Sequence, residues 1–580
     1  MFRSLIALWL LLLPCLSFAK ASSGKDVKTV IHLIETTDVH GNFYGYDFLN
    51  GRELEGGLPR VCTYVNDLRR KAGAEQVALL DAGDVLQGQP CVYYANFIDT
   101  LSTHLSSSMM NYMGYDAVAF GNHDIEAGHP VFDRWVRDSS HPMLGANIVS
   151  EKDGSQYLKP YTIIKKGGLR IAVLGLITPA IPMWLPKDLW SGLRFDDIVP
   201  TARRWAAYIE QHEKPDMLVG LFHTGLKGGS FNQYDENAAE EIALNVPGFD
   251  IIFYGHDHRA YCSTVKNKQD GKTVWLLNSG PSANKVAQAD VVVSKEKGKL
   301  RVESIQGQLV GMDAYAPDKA FLSKYEPTFD KVNQFVNEQI GTLAEPIHTF
   351  DYFFGPSSMA DLLHKVQLAN AKADISLVTP LTFNEVIDSG KIYVKDIFKL
   401  YRYENRLNVF RLTGREVRGA LERAYDLWTN TMHTASDHAL NIGEAPGKRT
   451  GFKQPSFLFM SAAGITYTVD LTKPDGSKVT ITKMSDGTPF DASKTYRVVV
   501  NSYIGSGGGG LLTEGGGISL SDLSKRIVWT SDKDLRYYVM EFFRHHNGPV
   551  SVQPLSDWQF VPTDWTRPAL ERDKASLSGK

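Results

Sequence analysis

Five apolar runs in the first half of this chain each lead into a short motif of Asp, His or Asn, and this pattern constrains the fold most. Val30 to Ile34 leads to Asp38-Val39-His40, and Val77 to Leu80 leads to Gly83-Asp84. Ala117 to Phe120 precedes Gly121-Asn122-His123-Asp124, Met217 to Phe222 precedes His223, and Ile251 to Tyr254 precedes Gly255-His256-Asp257-His258. Short apolar runs bounded by turn residues read as β-strands. In open α/β sheets, ligands gather beyond the carboxyl ends of the strands. Five strands of one sheet are therefore expected to carry these polar side chains to one place.

Asp and His together suit borderline divalent ions such as Zn²⁺, Mn²⁺, Fe²⁺ or Co²⁺. With no cysteine among the motifs, a closed structural zinc site is not expected. Two such ions, about 3.5–4 Å apart, can share a carboxylate and clamp the oxygens of an in-line displacement, which is phosphoester chemistry. A single His is usually a surface or core residue, and that reading suits most of the 16 histidines, including His32, His212 and His364. The motifs differ because each follows a strand.

At 580 residues the chain is long enough for more than one domain, and 43% hydrophobic content allows sizeable cores. A net charge of −3 gives no basic footprint, so no nucleic-acid polymer is expected as a partner. Arg3, the apolar stretch Leu5 to Leu16, and Ser17 and Ala19 at cleavage positions read as a signal peptide over residues 1–21. Export to a periplasmic or extracellular space follows. The apolar stretch is too short to span a bilayer, and no transmembrane segment is expected after cleavage. Cys62, Cys91 and Cys262 match no zinc spacing and read as small buried residues.

Residues 28–312 alternate strands with helices such as Pro59 to Ala72 and Ile198 to His212, which argues an α/β sandwich-like domain. Phe321, Tyr325, Phe329, Val332 and Phe335 fall at helical spacing, so residues 313–340 read as a linker helix. Residues 341–562 form a second patterned region, with helices at Met359 to Ala371 and Gly414 to Leu427. The glycine clusters Ser506 to Gly510 and Gly515 to Gly517 are expected to be loops, and residues 563–580 a tail.

The ordered set Asp-X-His, Gly-Asp, Gly-Asn-His, His and Gly-His-X-His resembles the calcineurin-like metallophosphoesterases. Nearly the whole mature chain resembles the secreted nucleotidases of that superfamily. The resemblance implies an α/β fold: a four-layer α/β/β/α metallophosphoesterase sandwich, a joining helix, and an α/β nucleotide-binding domain of the 5′-nucleotidase C-terminal type. It implies two divalent metal ions (Zn, Mn, Fe or Co). Asp38, His40, Asp84 and His258 would hold one, with Asp84 bridging, and Asn122, His223 and His256 would complete the other. His258 stands where some members have Gln. His123 would be catalytic, at the phosphoryl group or leaving oxygen, with Glu126 or Asp124 orienting it.

The implied partner is a nucleotide substrate. Two aromatic rings can sandwich a base, at roughly 1–3 kcal/mol per base. The resemblance puts Tyr403, in Arg402-Tyr403-Glu404-Asn405, and Tyr503, ahead of a glycine-rich loop, in those places. Asn384, Asn405, Gly508 and Gly509 would line the same site. Two departures bear on the phosphate. Residues 378–384 lack the Arg that 5′-nucleotidases carry there, and Gly509 replaces an Asp that accepts from ribose hydroxyls. With phosphate on the 2′ or 3′ oxygen those hydroxyls are not free donors, and an Asp would repel it. The chain therefore looks more like the 2′,3′-cyclic-nucleotide 2′-phosphodiesterase/3′-nucleotidase branch. A 5′-nucleotidase or nucleotide-sugar hydrolase is the alternative, and a non-catalytic nucleotide-binding protein is an alternative of another class.

Overall fold

The computed structural model describes residues 28–231, 234–296, 299–445 and 449–578, so the expected signal peptide lies outside the described residues. All five apolar runs are strands: β1 (Thr29–Thr36), β2 (Val77–Asp81), β3 (Ala117–Ala119), β5 (Met217–His223) and β6 (Ile251–Tyr254), with β4 (Leu169–Ile177) between β3 and β5. They do not share one sheet. β1, β2 and β3 run parallel in one six-stranded sheet, and β4, β5 and β6 run parallel in a second.

Burial explains both the apolar runs and the two sheets. Alternate residues on a strand point to opposite faces. Leu33, Ala78, Leu80, Val219, Leu221, Ile251 and Phe253 fill the layer between the sheets. Their neighbours Ile34, Val77 and Leu79 pack outward with Val61 and Val65 of helix α1 (Leu58–Ala72). On the far side, Leu218, Phe222 and Ile252 pack with Ala202 and Ile209 of α2 (Ile198–His212). Strands covered on both faces cannot show a polar alternation, hence their continuous apolar runs. The result is an α/β/β/α sandwich.

The expected linker helix is α3 (Lys319–Val336), capped by the Asp318 carboxylate, which accepts from the Phe321 N–H at 2.9 Å. Phe321, Tyr325, Val332 and Val336 bury into the core of the first domain. The second domain is built on a five-stranded sheet containing β7 (Ile375–Val378), β8 (Arg406–Thr413) and β9 (Thr495–Asn501). Around it lie α4 (Ser358–Ala371), α5 (Gly414–Trp428) and α6 (Leu535–Arg544). Trp428 is fully buried and stacks near-parallel to Tyr425, Phe459 and Tyr352.

Three expectations change. The glycine clusters are not plain loops: Gly508–Gly510 and Leu511–Gly515 form single helical turns, which Gly507, Gly509 and Gly510 enter with φ of 104°, 67° and 70°. The stretch from 563 carries a helix, α7 (Thr563–Ser578), tied down where buried Asp573 accepts from the Leu440 N–H at 2.9 Å. Cys62 and Cys91 are buried, but Cys262 is partly exposed on an edge strand.

His364 yields a pH prediction. Its ring is buried between Ser376 Oγ (2.8 Å) and Ser461 Oγ (3.3 Å), and burial brings its pKa down to about 3 from 6.5. A proton therefore binds the unfolded chain first as pH falls. The stabilising difference is whole above about pH 6.5 and is lost progressively toward pH 3. His364→Gln is expected to flatten the acid-side loss of second-domain stability, measured by urea unfolding across that range.

Candidate metal centre and substrate cleft

Four motifs sit just past the end of their strands and His223 is the last residue of its own, so the carboxyl ends of both sheets meet over one site. The turns are tight. Asp38, His40, Asp84, His256 and His258 adopt φ of 49°, 47°, 61°, 79° and 55°, the left-handed region that non-glycine residues rarely enter. Glycine precedes three of the motifs because the turns touch. A Cβ on Gly121 would lie 2.1 Å from Asp84 Oδ1, and one on Gly255 would lie 1.9 Å from Thr37 Oγ1.

Two donor groups result. Asp38, His40, Asp84 and His258 offer ligand atoms all within 4.8 Å of one another, and so do Asp84, His223 and His256. Asp84 belongs to both. Asn122 joins the second, its Oδ1 3.1 Å from His223 Nε2, which is also 3.1 Å from Asp84 Oδ2. His258 Nε2 is 3.3 Å from Asp38 Oδ1. His40 Nε2 and His258 Nε2 face each other at 3.0 Å. Two ring nitrogens so placed need a shared proton or cation between their lone pairs. A divalent ion fits that donor set.

The electrostatics agree. Asp38 and Asp84 are buried, which alone would raise their pKa values. The imidazoles of His258 and His223 overcome that for Asp38, and those of His223, His123 and His40 do so for Asp84, so both carboxylates stay ionised. Burial pulls His40 down to about 4, leaving its ring neutral and able to donate a lone pair. Hydrogen bonds behind the site fix the rings: His223 Nδ1 contacts the Ala82 carbonyl at 2.8 Å, and His40 Nδ1 the Gln87 carbonyl at 3.3 Å. Such partners set which nitrogen faces a metal.

His123 lies beside Asp84, whose Oδ1 accepts from its backbone N–H at 2.9 Å. Its Nδ1 meets Glu126 Oε2 at 2.5 Å, one helical turn on. Burial opposes a charge on this ring, but Asp84 and then Glu126 outweigh it and raise the pKa to about 10. Asp124, the other candidate orienter, does not serve His123. Its carboxylate accepts from the N–H groups of Asp84, Val85, Leu86 and Gly121 at 2.7–3.0 Å and so clamps the Gly83-Asp84 turn.

Over the centre stands the second domain. The Tyr403 ring lies 6.3 Å from that of His123 and 12° from parallel, with 39% of the residue exposed. Tyr503 is half-buried, its ring where a Cβ on Gly508 would fall, at 2.6 Å. The loops that carry Tyr403 and Tyr503 are joined by the Arg406 N–H, which donates to Ser502 Oγ at 3.1 Å. Asn405 is not a free substrate ligand: it is buried, donating to Tyr401 Oη at 3.3 Å and accepting from Ser502 Oγ at 3.5 Å. It holds the two loops together instead. Asn384 is exposed on the loop after β7, and a Cβ on Gly509 would lie 2.1 Å from Leu458 Cδ2.

Three contributors carried no motif. Glu236 Oε1 meets His256 Nε2 at 2.9 Å, leaving Nδ1 of that ring for the second donor group. Trp184 covers the His256 ring at 5.6 Å, and exposed Phe457 sits edge-on to Tyr503 at 6.0 Å. Asp257 pins the motif turn by accepting from the Leu226 N–H and Asn278 Nδ2, both at 3.0 Å.

Donors of this kind at the strand ends of an α/β/β/α sandwich define a metallophosphoesterase. Residues 31–260 match the family Calcineurin-like phosphoesterase, and residues 339–514 match the 5′-nucleotidase, C-terminal domain. The chain therefore carries a calcineurin-like phosphoesterase domain followed by a 5′-nucleotidase C-terminal domain. It is similar to the trifunctional nucleotide phosphoesterase protein YfkN of Bacillus subtilis, 25% identical over 93% of this chain but only 39% of that longer protein. The 2′,3′-cyclic-nucleotide 2′-phosphodiesterase/3′-nucleotidase of Haemophilus influenzae is 24% identical over 97% of this chain and 92% of its own length. The fold is shared with the solved 5′-nucleotidase precursor of Thermus thermophilus, at a TM-score of 0.60 and 21% identity over 92% of this chain and 99% of that one.

The Glu236 contact makes a prediction. Partners of metal-binding histidines typically contribute about 10–100-fold in metal affinity. Glu236→Ala is expected to weaken one of two bound ions by that factor and spare the other, read by metal analysis after graded chelation.

Proposed function

We propose that this protein is an exported, two-metal nucleotide phosphohydrolase that acts on 2′,3′-cyclic nucleotides and 3′-nucleotides. The observation that carries the reading is Asp84. It is shared by two donor groups and accepts from the backbone of His123, whose ring faces that of Tyr403 from the second domain. Export rests on the signal-like leader. Among the described residues no helix is long and apolar enough to cross a membrane.

Divalent ions of the Zn, Mn, Fe or Co kind, held by Asp38, His40, Asp84, Asn122, His223, His256 and His258, would supply Lewis acidity and lower the pKa of bound water. The chain's own groups do the rest. His123, kept protonated by Asp84 and Glu126, stands ready to donate to a phosphoryl or leaving oxygen. With Asp84 engaged in holding an ion, its pull on the His123 ring would weaken and the ring would titrate nearer the range useful for proton transfer. Tyr403 and Tyr503 would take the base between them, away from the reacting phosphorus. The preference for the 2′ or 3′ position is supported by Gly509: the space an acidic side chain would start into is filled by Leu458. Relatives named as 2′,3′-cyclic-nucleotide 2′-phosphodiesterase/3′-nucleotidases align over nearly the whole chain, which supports the same substrate class.

The test is a substrate panel. Turnover of 3′-AMP and 2′,3′-cyclic AMP should exceed that of 5′-AMP, vanish on chelation and return with Mn²⁺ or Zn²⁺. Faster release from 5′-AMP would favour the 5′-nucleotidase reading, and no turnover of any would favour a binding protein. Asp84→Asn is expected to remove nearly all activity while the protein still folds, because an amide cannot balance two cations. His123→Ala should lower kcat by roughly 10²–10⁴-fold yet retain both ions on metal analysis. Tyr403→Ala should raise KM for nucleotides.

A further inference from the structure

Arg536 has no exposed surface, yet it lies where the two domains meet. Near the start of α6, its guanidinium sits 4.3 Å over the ring of Phe398 and 4.8 Å over that of Tyr93. Tyr93 belongs to the first domain, on the helical turn Pro90–Tyr93, but buries its side chain in the hydrophobic core of the second. Its hydroxyl donates to Asp534 Oδ2 at 3.1 Å, and Asp534 Oδ1 lies 3.7 Å from Arg536 Nε.

The other side of the guanidinium grips one turn. Nη1 donates to the carbonyl of Arg402 at 3.3 Å, and Nη2 donates to the carboxylate of Glu404. The Leu535 N–H adds a bond to the Asn405 carbonyl at 2.9 Å. Residues on both sides of Tyr403 are thus held from below, while the Tyr403 ring stands free above His123. A buried ion pair is weak as a source of stability, and apolar side chains of like volume often replace one without loss. What an apolar side chain cannot do is hold a carbonyl and a carboxylate at a fixed spacing. Lysine, a point charge on a flexible stem, lacks the planar fork that does so.

We propose that Arg536 is a positioning residue for the aromatic wall of the cleft. It fixes the turn 402–404 so that Tyr403 stands parallel to His123, and through Tyr93 it ties that pose to the docking of the first domain. The inference rests on the reading of Tyr403 as a base-binding wall. It makes base recognition depend on a residue that touches neither substrate nor metal.

Arg536→Lys tests it, since the charge beside Glu404 is kept and only the fork is lost. KM for 3′-AMP is expected to rise about tenfold, the scale of one charge-assisted hydrogen bond. Hydrolysis of bis(4-nitrophenyl) phosphate and the bound-metal count should stay at parent values. Tyr93→Phe should shift KM the same way by less. If Arg536→Lys folds poorly, the combined change Arg536→Met, Glu404→Gln and Asp534→Asn leaves no lone buried charge in this cluster, and should give the same KM rise. A parent-like KM, or an equal loss on nucleotide and aryl diester, overturns the proposal. Tyr403→Ala run alongside separates the two readings. If it raises KM and Arg536→Lys does not, the positioning role alone falls. If it leaves KM unchanged, the base-binding wall falls and takes the positioning role with it.

Discussion

Negative charge buried at the strand ends governs this structure. Glu35, Asp38, Asp81, Asp84 and Asp124 are each 0–1% exposed within a few turns of one another. Taking a lone carboxylate out of water costs several kcal/mol unless something compensates it. The chain compensates each in a different way. Asp124 is held by four backbone N–H groups, which offset only part of the effect of burial and of Asp84, so that its pKa rises to about 6. Glu35 and Asp81 are pushed well above the usual carboxylate range, by burial first, which favours their uncharged forms. Asp38 and Asp84 stay ionised among imidazoles, and both belong to the donor groups at the strand ends. The left-handed turns follow from the same need. Strained backbone of that kind costs about 1–3 kcal/mol per residue and persists only where surrounding structure over-determines it. Here the parallel central strands of two mixed sheets, packed face to face, do that.

Much of this was legible in the sequence, for a physical reason. Strands buried on both faces need unbroken apolar runs, and the polar residue that ends each run is the one the turn presents. Sheet membership was not legible, because strands of the two sheets meet the same burial demand and so look alike. The choice between Asp124 and Glu126 was open in the sequence, although geometry decides it. On a helical turn beginning at Asn122, position i+3 from His123 faces back to it and position i+1 does not. Glu236 gave no signal. It reaches His256 from a hairpin twenty positions earlier, and only the folded chain brings the two together. Asn405, a polar residue beside an aromatic in a loop, also bonds Tyr401 and Ser502, contacts that only the folded chain reveals.

The two domains divide the labour. The first supplies the buried charge and the strained turns, all anchored on sheet ends. The second supplies a flat apolar surface carried on loops that Asn405, Ser502 and Asn501 stitch to one another. Arg406 adds a surface ion pair to Asp188 of the first domain. On the proposed reading, a site assembled this way would separate bond breaking from substrate choice, so that loop changes in the second domain would alter specificity without disturbing the donors at the strand ends.

Tyr93 bears on how such a chain can be cut or recombined. Domain boundaries are usually sought in linkers where few contacts cross, and here the eye falls on α3. A break there would leave the second half with a void where an aromatic ring had been, and the first half with that ring exposed to water. The half that looks self-contained in the order of residues is incomplete in space. Exchange of this domain between relatives would succeed only with partners that bring their own plug for the same hole, which makes one aromatic side chain a compatibility tag between the halves.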